Sequence, residues 1–148
     1  MTCISKIENI TTSLDFQNDD SLSMNYTEII LTCFPYASNS ELFELTNNKN
    51  KYIRYPAFIA LLQLRNSQDT ILMILEKHKG DTTEYLEVEN LHKKTVFESM
   101  LEMTQSEIDY YTNFKQQDFF TISQKETWLK LKASLHDNKT NAQQKYLQ

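Results

Sequence analysis

An all-α fold is what this sequence predicts, and three features predict it. Glycine occurs once (Gly80) and proline twice (Pro35, Pro56) in 148 residues, too few for the turns of a sheet protein. Apolar residues recur at three- and four-residue spacing through most of the chain. Between those stretches lie joints of Ser, Asn and Asp only a few residues long, which makes sequential helices antiparallel neighbours. With 40% apolar residues, the chain can fill the core of one domain. The expected layout is an N-terminal segment over residues 1–23, a helical domain over 24–136 and a polar tail over 137–148.

In the first segment Ile4, Ile7, Ile10 and Leu14 keep helical spacing, and Asn18-Asp-Asp-Ser21 reads as a loop. Asn25, with Glu28 three positions on, caps a short helix through Ile29, Ile30 and Cys33 that ends at Pro35. Ser38 or Asn39 caps the next, which carries Leu42, Phe43 and Leu45. Asn47-Asn-Lys-Asn50 is a turn in which Asn takes the left-handed conformation. A helix from about Tyr52 to Leu64 follows; Pro56 is harmless if that helix starts near Ile53 and kinks it if the start is Lys51.

Ser67 caps a helix through Ile71, Leu72, Ile74 and Leu75, closed by Lys77-His78-Lys79 and by Gly80 at the left-handed position. Asp81 with Glu84 is expected to open a longer helix to Met103, with Val88, Leu91, Val96, Met100 and Met103 as its stripe. Ser106 with Asp109 opens one containing Ile108, Tyr110, Tyr111 and Phe114. Ser123 with Glu126 opens the last, with Trp128, Leu131 and Leu135 on one face. The tail from Asp137 reads as frayed.

Ile53-Arg54, Ala57, Ala60-Leu61 and Leu64 form a run whose small residues let two helix backbones approach closely. The run resembles the second helix of a HEAT repeat, which typically reads Val-Arg-x-x-Ala-x-x-Ala-Leu-x-x-Leu after a turn rich in Asp or Asn. Ile53, Arg54, Ala57, Ala60, Leu61 and Leu64 match every position, with Ile for Val. Pro56 departs from the pattern. The resemblance covers about residues 38–66; two further helix pairs, Ser67 to Met103 and Ser106 to Leu135, recur at about the same spacing without the signature. It implies a short α-α superhelix of stacked hairpins, with a compact helical bundle as the alternative. It also implies a structural role for Arg54, bonding to the turn of its own or a neighbouring repeat.

Fifteen Lys and Arg against twenty Asp and Glu leave a net charge of −5, which disfavours a nucleic-acid partner. The one dense basic run, Lys125 to Lys132, is interrupted by Glu126 and Trp128 and reads as a solvated helix face. Cys3 and Cys33 are too few and isolated for a disulfide framework, so both are expected as reduced thiols in a cytoplasmic protein. No apolar run reaches the roughly 18 residues of a membrane span, and the first residues lack a signal-peptide core. The Asn-x-Thr triplets at Asn9, Asn25 and Asn138 are therefore read as chance matches.

No catalytic constellation stands out, and no cofactor or metal is expected. Glu89-x-x-His92 is half of a di-iron motif, but a second copy is missing. One glycine cannot build a phosphate cradle. A HEAT-like stack implies a protein-protein interaction or scaffold module without catalytic activity. Its partner surface is expected either on the ridge of second helices, at Arg54, Tyr55 and Arg65, or at the aromatic end, at Tyr110, Tyr111 and Phe114. The competing reading of the aromatics is that, with Phe119, Phe120 and Trp128, they plug the end of the core. Two other functions are weighed. One is a small acidic inhibitor or immunity-type protein masking a basic partner through Asp81, Glu84, Glu87 and Glu98. The other is a HEAT-like DNA glycosylase, which the single Trp128 and the acidic balance disfavour.

Overall fold

The structure, a computed structural model, describes residues 2–3, 5, 32–64, 67–86 and 93–147. The expected helix through Ile29 and Ile30, most of the first segment, Arg65, Glu89 and His92 lie outside the described residues. Among the described residues a 3-10 turn, Phe34–Tyr36, with Pro35 in its first positions, leads into five helices. These are α1 (Asn39–Leu45), α2 (Lys51–Leu64), α3 (Gln68–His78), α4 (Val96–Tyr110) and α5 (Ile122–Leu147). The fold is all-α, and among the described residues the strands are those of a small antiparallel hairpin, β1 (Glu84–Leu86) with β2 (Lys93–Thr95), in register Glu84 to Thr95.

Ser38 starts α1 with a full capping box. Its hydroxyl accepts from the Glu41 amide at 3.1 Å, and Glu41 accepts from the Ser38 amide at 2.8 Å. The Asn47–Asn50 joint then closes by side-chain hydrogen bonds instead of the expected left-handed residue. The Asn50 amide donates to Asn48 Oδ1 at 2.8 Å, and Asn50 Oδ1 accepts from the Tyr52 amide at 2.9 Å. Among the described residues only Gln116 has positive φ, at 52°. Gly80, expected in the left-handed region, is not there either, and a Cβ built on it meets nothing within 4 Å.

Helix α2 begins at Lys51, so Pro56 lies at its sixth position and cannot donate to the Tyr52 carbonyl. Every residue from Tyr52 to Phe58 is buried, as expected of a helix enclosed on all sides. The 3-10 turn, α1, α3 and α4 all pack against it. Ala57 lets a neighbour come close, while Ile53, Phe58, Leu61 and Leu62 meet Ile71, Ile74, Leu75, Val96, Phe97 and Met100 in one continuous core. Helix α5 joins by packing on α3.

Four sequence expectations are corrected after α3. Asp81 does not open a helix, because its carboxylate is taken by Arg54. The hairpin occupies that stretch, and α4 starts only at Val96, capped by Thr95, whose hydroxyl accepts from the Glu98 amide at 3.1 Å. No new helix begins at Ser106; its hydroxyl bonds back to the Glu102 carbonyl at 3.1 Å and α4 runs through. Helix α5 is opened by Thr121 and Gln124, each accepting from the other's amide at 3.3 and 2.9 Å, two residues earlier than the expected Ser123. Its backbone stays helical to Leu147, so the tail is not frayed.

The cysteines differ too. Cys3 and Cys33 are joined in a disulfide with 5.4 Å between Cα atoms, not held as separate thiols. Thirty positions of sequence separate them, and only the fold brings them together.

The positions of glycine and of the left-handed residue generate a paired prediction. Gly80→Ala should be neutral or stabilising by up to about 1 kcal/mol, since the backbone is ordinary and the space open. Gln116→Gly should also stabilise, by about 1 kcal/mol, because it relieves a side chain from positive φ. Urea titration measures both; a destabilised Gly80→Ala would contradict the turn geometry.

Candidate functional site

Two places concentrate polar or aromatic chemistry. The first is built around Arg54 in the first turn of α2. Its Nε donates to Asp81 Oδ2 at 2.8 Å and its Nη2 to Asp81 Oδ1 at 3.1 Å, a bidentate fork, while Nη1 donates to the Lys49 carbonyl at 3.1 Å. One guanidinium thus ties the α1–α2 turn to the loop after α3. Both side chains are largely buried, at 8% and 13% exposed.

Asp81 is occupied from other sides as well. Its Oδ1 accepts from the Thr83 amide at 3.1 Å, and Nδ1 of His78, at the end of α3, stands 3.5 Å from Oδ2. Burial pushes the Asp81 carboxyl up. The hydrogen bonds from His78, Arg54 and Thr83 and the Arg54 charge outweigh it and hold the group well below the usual carboxylate range. His78 is itself buried, and its Nε2 has no hydrogen-bond partner among the described residues.

The second place is the turn after α4. The last turn of α4 widens into a π-helical turn, Tyr111–Lys115, closed by left-handed Gln116 and a Gln117 amide bond to the Tyr111 carbonyl at 3.1 Å. An aromatic ladder runs through it. Phe114 lies 5.6 Å from Tyr110, Tyr110 6.0 Å from Tyr111, and Tyr111 5.1 Å from Phe119. The ladder continues with Phe119 and Phe120 at 4.8 Å and Phe120 and Trp128 at 5.9 Å, mostly in edge or tilted geometry. Lys115 Nζ stands 4.6 Å over the Tyr111 ring. The inner half (Phe119, Phe120, Trp128) is buried, whereas Tyr110 is 46% and Phe114 78% exposed. The ladder is therefore both a plug and a surface.

Of the residues expected on a partner surface, Tyr110 and Phe114 lie outside with Tyr111 half-buried beside them. Arg54 and Tyr55 are interior, Tyr55 only 5% exposed, so they leave the surface set: α2 is covered on the side where an open ridge was expected. Arg65 lies outside the described residues. Sequence reasoning missed Asp81 as the partner of Arg54, having assigned it to a cap. The signal was the arginine itself, which needs an acceptor in a neighbouring turn.

The other constellations are dispersed. In the basic run, Lys125 bonds to Asp118 at 3.2 Å, and Lys132 bonds to Gln105 at 3.1 Å and covers the Trp128 ring. Of the proposed acidic face, Asp81 is spent on Arg54, Glu84 is exposed, Glu98 is half-buried and Glu87 lies outside the described residues. Two shallow grooves flank α3 and share Met73. One, of about 440 Å³, is bounded by Leu72, Asp69 and Gln124; the other, of about 280 Å³, by Phe43 and Leu61. No protein-family model, curated protein or solved structure matches this chain.

The buried fork makes two predictions. Arg54→Ala should cost about 3–5 kcal/mol, because it strands the Asp81 charge in the interior; Arg54→Lys, which keeps the charge but not the fork, should recover only part. Because the Asp81 pKa is depressed in the folded state from an ordinary value of 3.8, its contribution is full above about pH 4 and is lost as pH falls further. Unfolding free energies measured from pH 7 to pH 2 should show this decline in the wild type and a shallower one in Asp81→Asn. Equal acid slopes would exclude Asp81 as the source.

Proposed function

We propose that this chain is a short HEAT-like stack that acts as a protein-protein interaction or scaffold module without catalytic activity, and that Tyr110 and Phe114 are its contact residues. The exposed aromatic end of the ladder carries the reading. Phe114 is 78% exposed, yet its neighbours are stacked back to buried Trp128. Such a ring has lost much of its freedom before any partner arrives, which lowers the cost of binding. Aromatic anchors of this kind commonly dominate an interface.

The packing order supports the HEAT-like part. Alternate helices touch, α2 with α4 and α3 with α5, as well as the sequential pairs from α1 to α4, a pattern found in stacked hairpins. Arg54 bonds both to its own turn and to the loop of the next pair, as the resemblance implies. The hairpin inserted between α3 and α4 departs from the tight turn of such repeats.

The partner is another protein. No helix among the described residues is long and apolar enough to cross a membrane, and the basic run offers scattered cations instead of a phosphate track. A cytoplasmic location belongs to this reading, but the paired cysteines would there meet a reducing environment.

Affinity capture with immobilised wild type, Tyr110→Ala and Phe114→Ala, followed by titration of the captured protein, tests the proposal. Phe114→Ala should weaken binding at least 30-fold (about 2 kcal/mol) while leaving Tm unchanged, since the ring is solvated. A partner held equally by all three baits, or nucleic acid as the captured species, would sink it.

A further inference from the structure

We propose that the Cys3–Cys33 bond is a redox-governed strap that fastens the N-terminal residues to the entrance of α1 and rigidifies that end of the fold. Two contacts converge there. Cys3 and Cys33 are 5.4 Å apart at Cα, within the 4.4–6.8 Å range usual for a bridge, and both are buried. The Cys3 backbone amide is also among the groups that lower the Glu41 carboxyl below its usual range, which puts Cys3 near the carboxylate that closes the Ser38 capping box. The disulfide thus holds Cys3 against the cap of α1.

The consequence follows from what the strap is attached to. Helix α1 has seven residues, too few to be stable without its cap and its packing. Cys33 immediately precedes the Phe34–Tyr36 turn, whose Phe34 is buried in the core and which packs on α2. Closing the ring across a sequence separation of 30 removes freedom mainly from the unfolded chain, and locally it keeps Cys3 within reach of Glu41. Reduction leaves both thiols in apolar surroundings and removes the covalent tie between Cys3 and Cys33.

The bond forms by exchange with a low-molecular-weight disulfide such as oxidised glutathione. One cysteine thiolate attacks a glutathione sulfur, breaks that S–S bond and expels one glutathione thiolate. The second cysteine thiolate then attacks the mixed disulfide, forms the Sγ–Sγ bond and expels the other. The two cysteine protons end on the two released thiols, so two cysteines are oxidised as one glutathione disulfide is reduced. In a compartment poised by reduced glutathione the same steps run backwards.

The test uses the full chain without any substitution first. After incubation with oxidised glutathione, the monomer should lose both titratable thiols, and its Tm should exceed that of the dithiothreitol-treated chain by on the order of 10 °C. Amide exchange on reduction should rise at Cys3, Ser5 and Ser38–Leu42 and stay level in α3 and α4. The Cys3→Ser/Cys33→Ser double variant should match the reduced chain and ignore both reagents. Retained thiols, disulfide formation only between molecules, equal Tm in both states, or an exchange increase spread evenly over the helices would each overturn the proposal.

Discussion

The guanidinium of Arg54 holds three acceptors at once: both oxygens of Asp81 and the carbonyl of Lys49. The helical arrangement depends on that geometry. Lys49 belongs to the turn between α1 and α2, and Asp81 to the loop that leaves α3, so a single planar group sets how the first pair of helices meets the next. Apolar packing between the pairs is not directional. A fork with fixed hydrogen-bond angles is, and burial makes any misalignment expensive. The pair is best understood as fixing position, with most of the stabilisation coming from the surrounding core.

That core gathers on α2. A helix with its residues from Tyr52 to Phe58 all buried needs partners on every side, and it obtains them from α1, α3, α4 and the 3-10 turn. Pro56 fits this setting: the missing amide lies within packed protein, and Ala57 beside it keeps the contact thin. Beyond α4 the aromatic ladder changes from buried rings at Trp128 to solvated ones at Phe114 over one chain of contacts. Stability and recognition share one ladder there, since the buried rings hold the exposed ones in place.

Legibility in the sequence varied with the range of the interaction involved. The Ser38 box was readable because Ser-x-x-Glu encodes both halves of a contact three residues apart. Asp81-x-x-Glu84 has the same form, but Arg54, 27 positions away, takes the Asp81 carboxylate, and the helix starts instead at Val96 under the Thr95 cap. Of the surface candidates, Tyr110 and Phe114 are exposed while Tyr55 is interior. Nothing local distinguishes these aromatics; what covers each one comes from other helices.

By itself the sequence determined that the chain would be helical and where α1, α2 and α3 lie; the turn acceptor of Arg54 was implied only by the resemblance of its helix to a HEAT repeat. The helical features rest on periodicity, on capping chemistry and on the scarcity of glycine, all of which act within a few residues. Tertiary structure alone decided that the acceptor is Asp81, that a hairpin replaces the first half of the helix expected from Asp81 to Met103, and that Cys3 meets Cys33. Each of these joins groups about thirty positions apart or depends on such a contact, and spacing along the chain carries no record of distances that only packing creates.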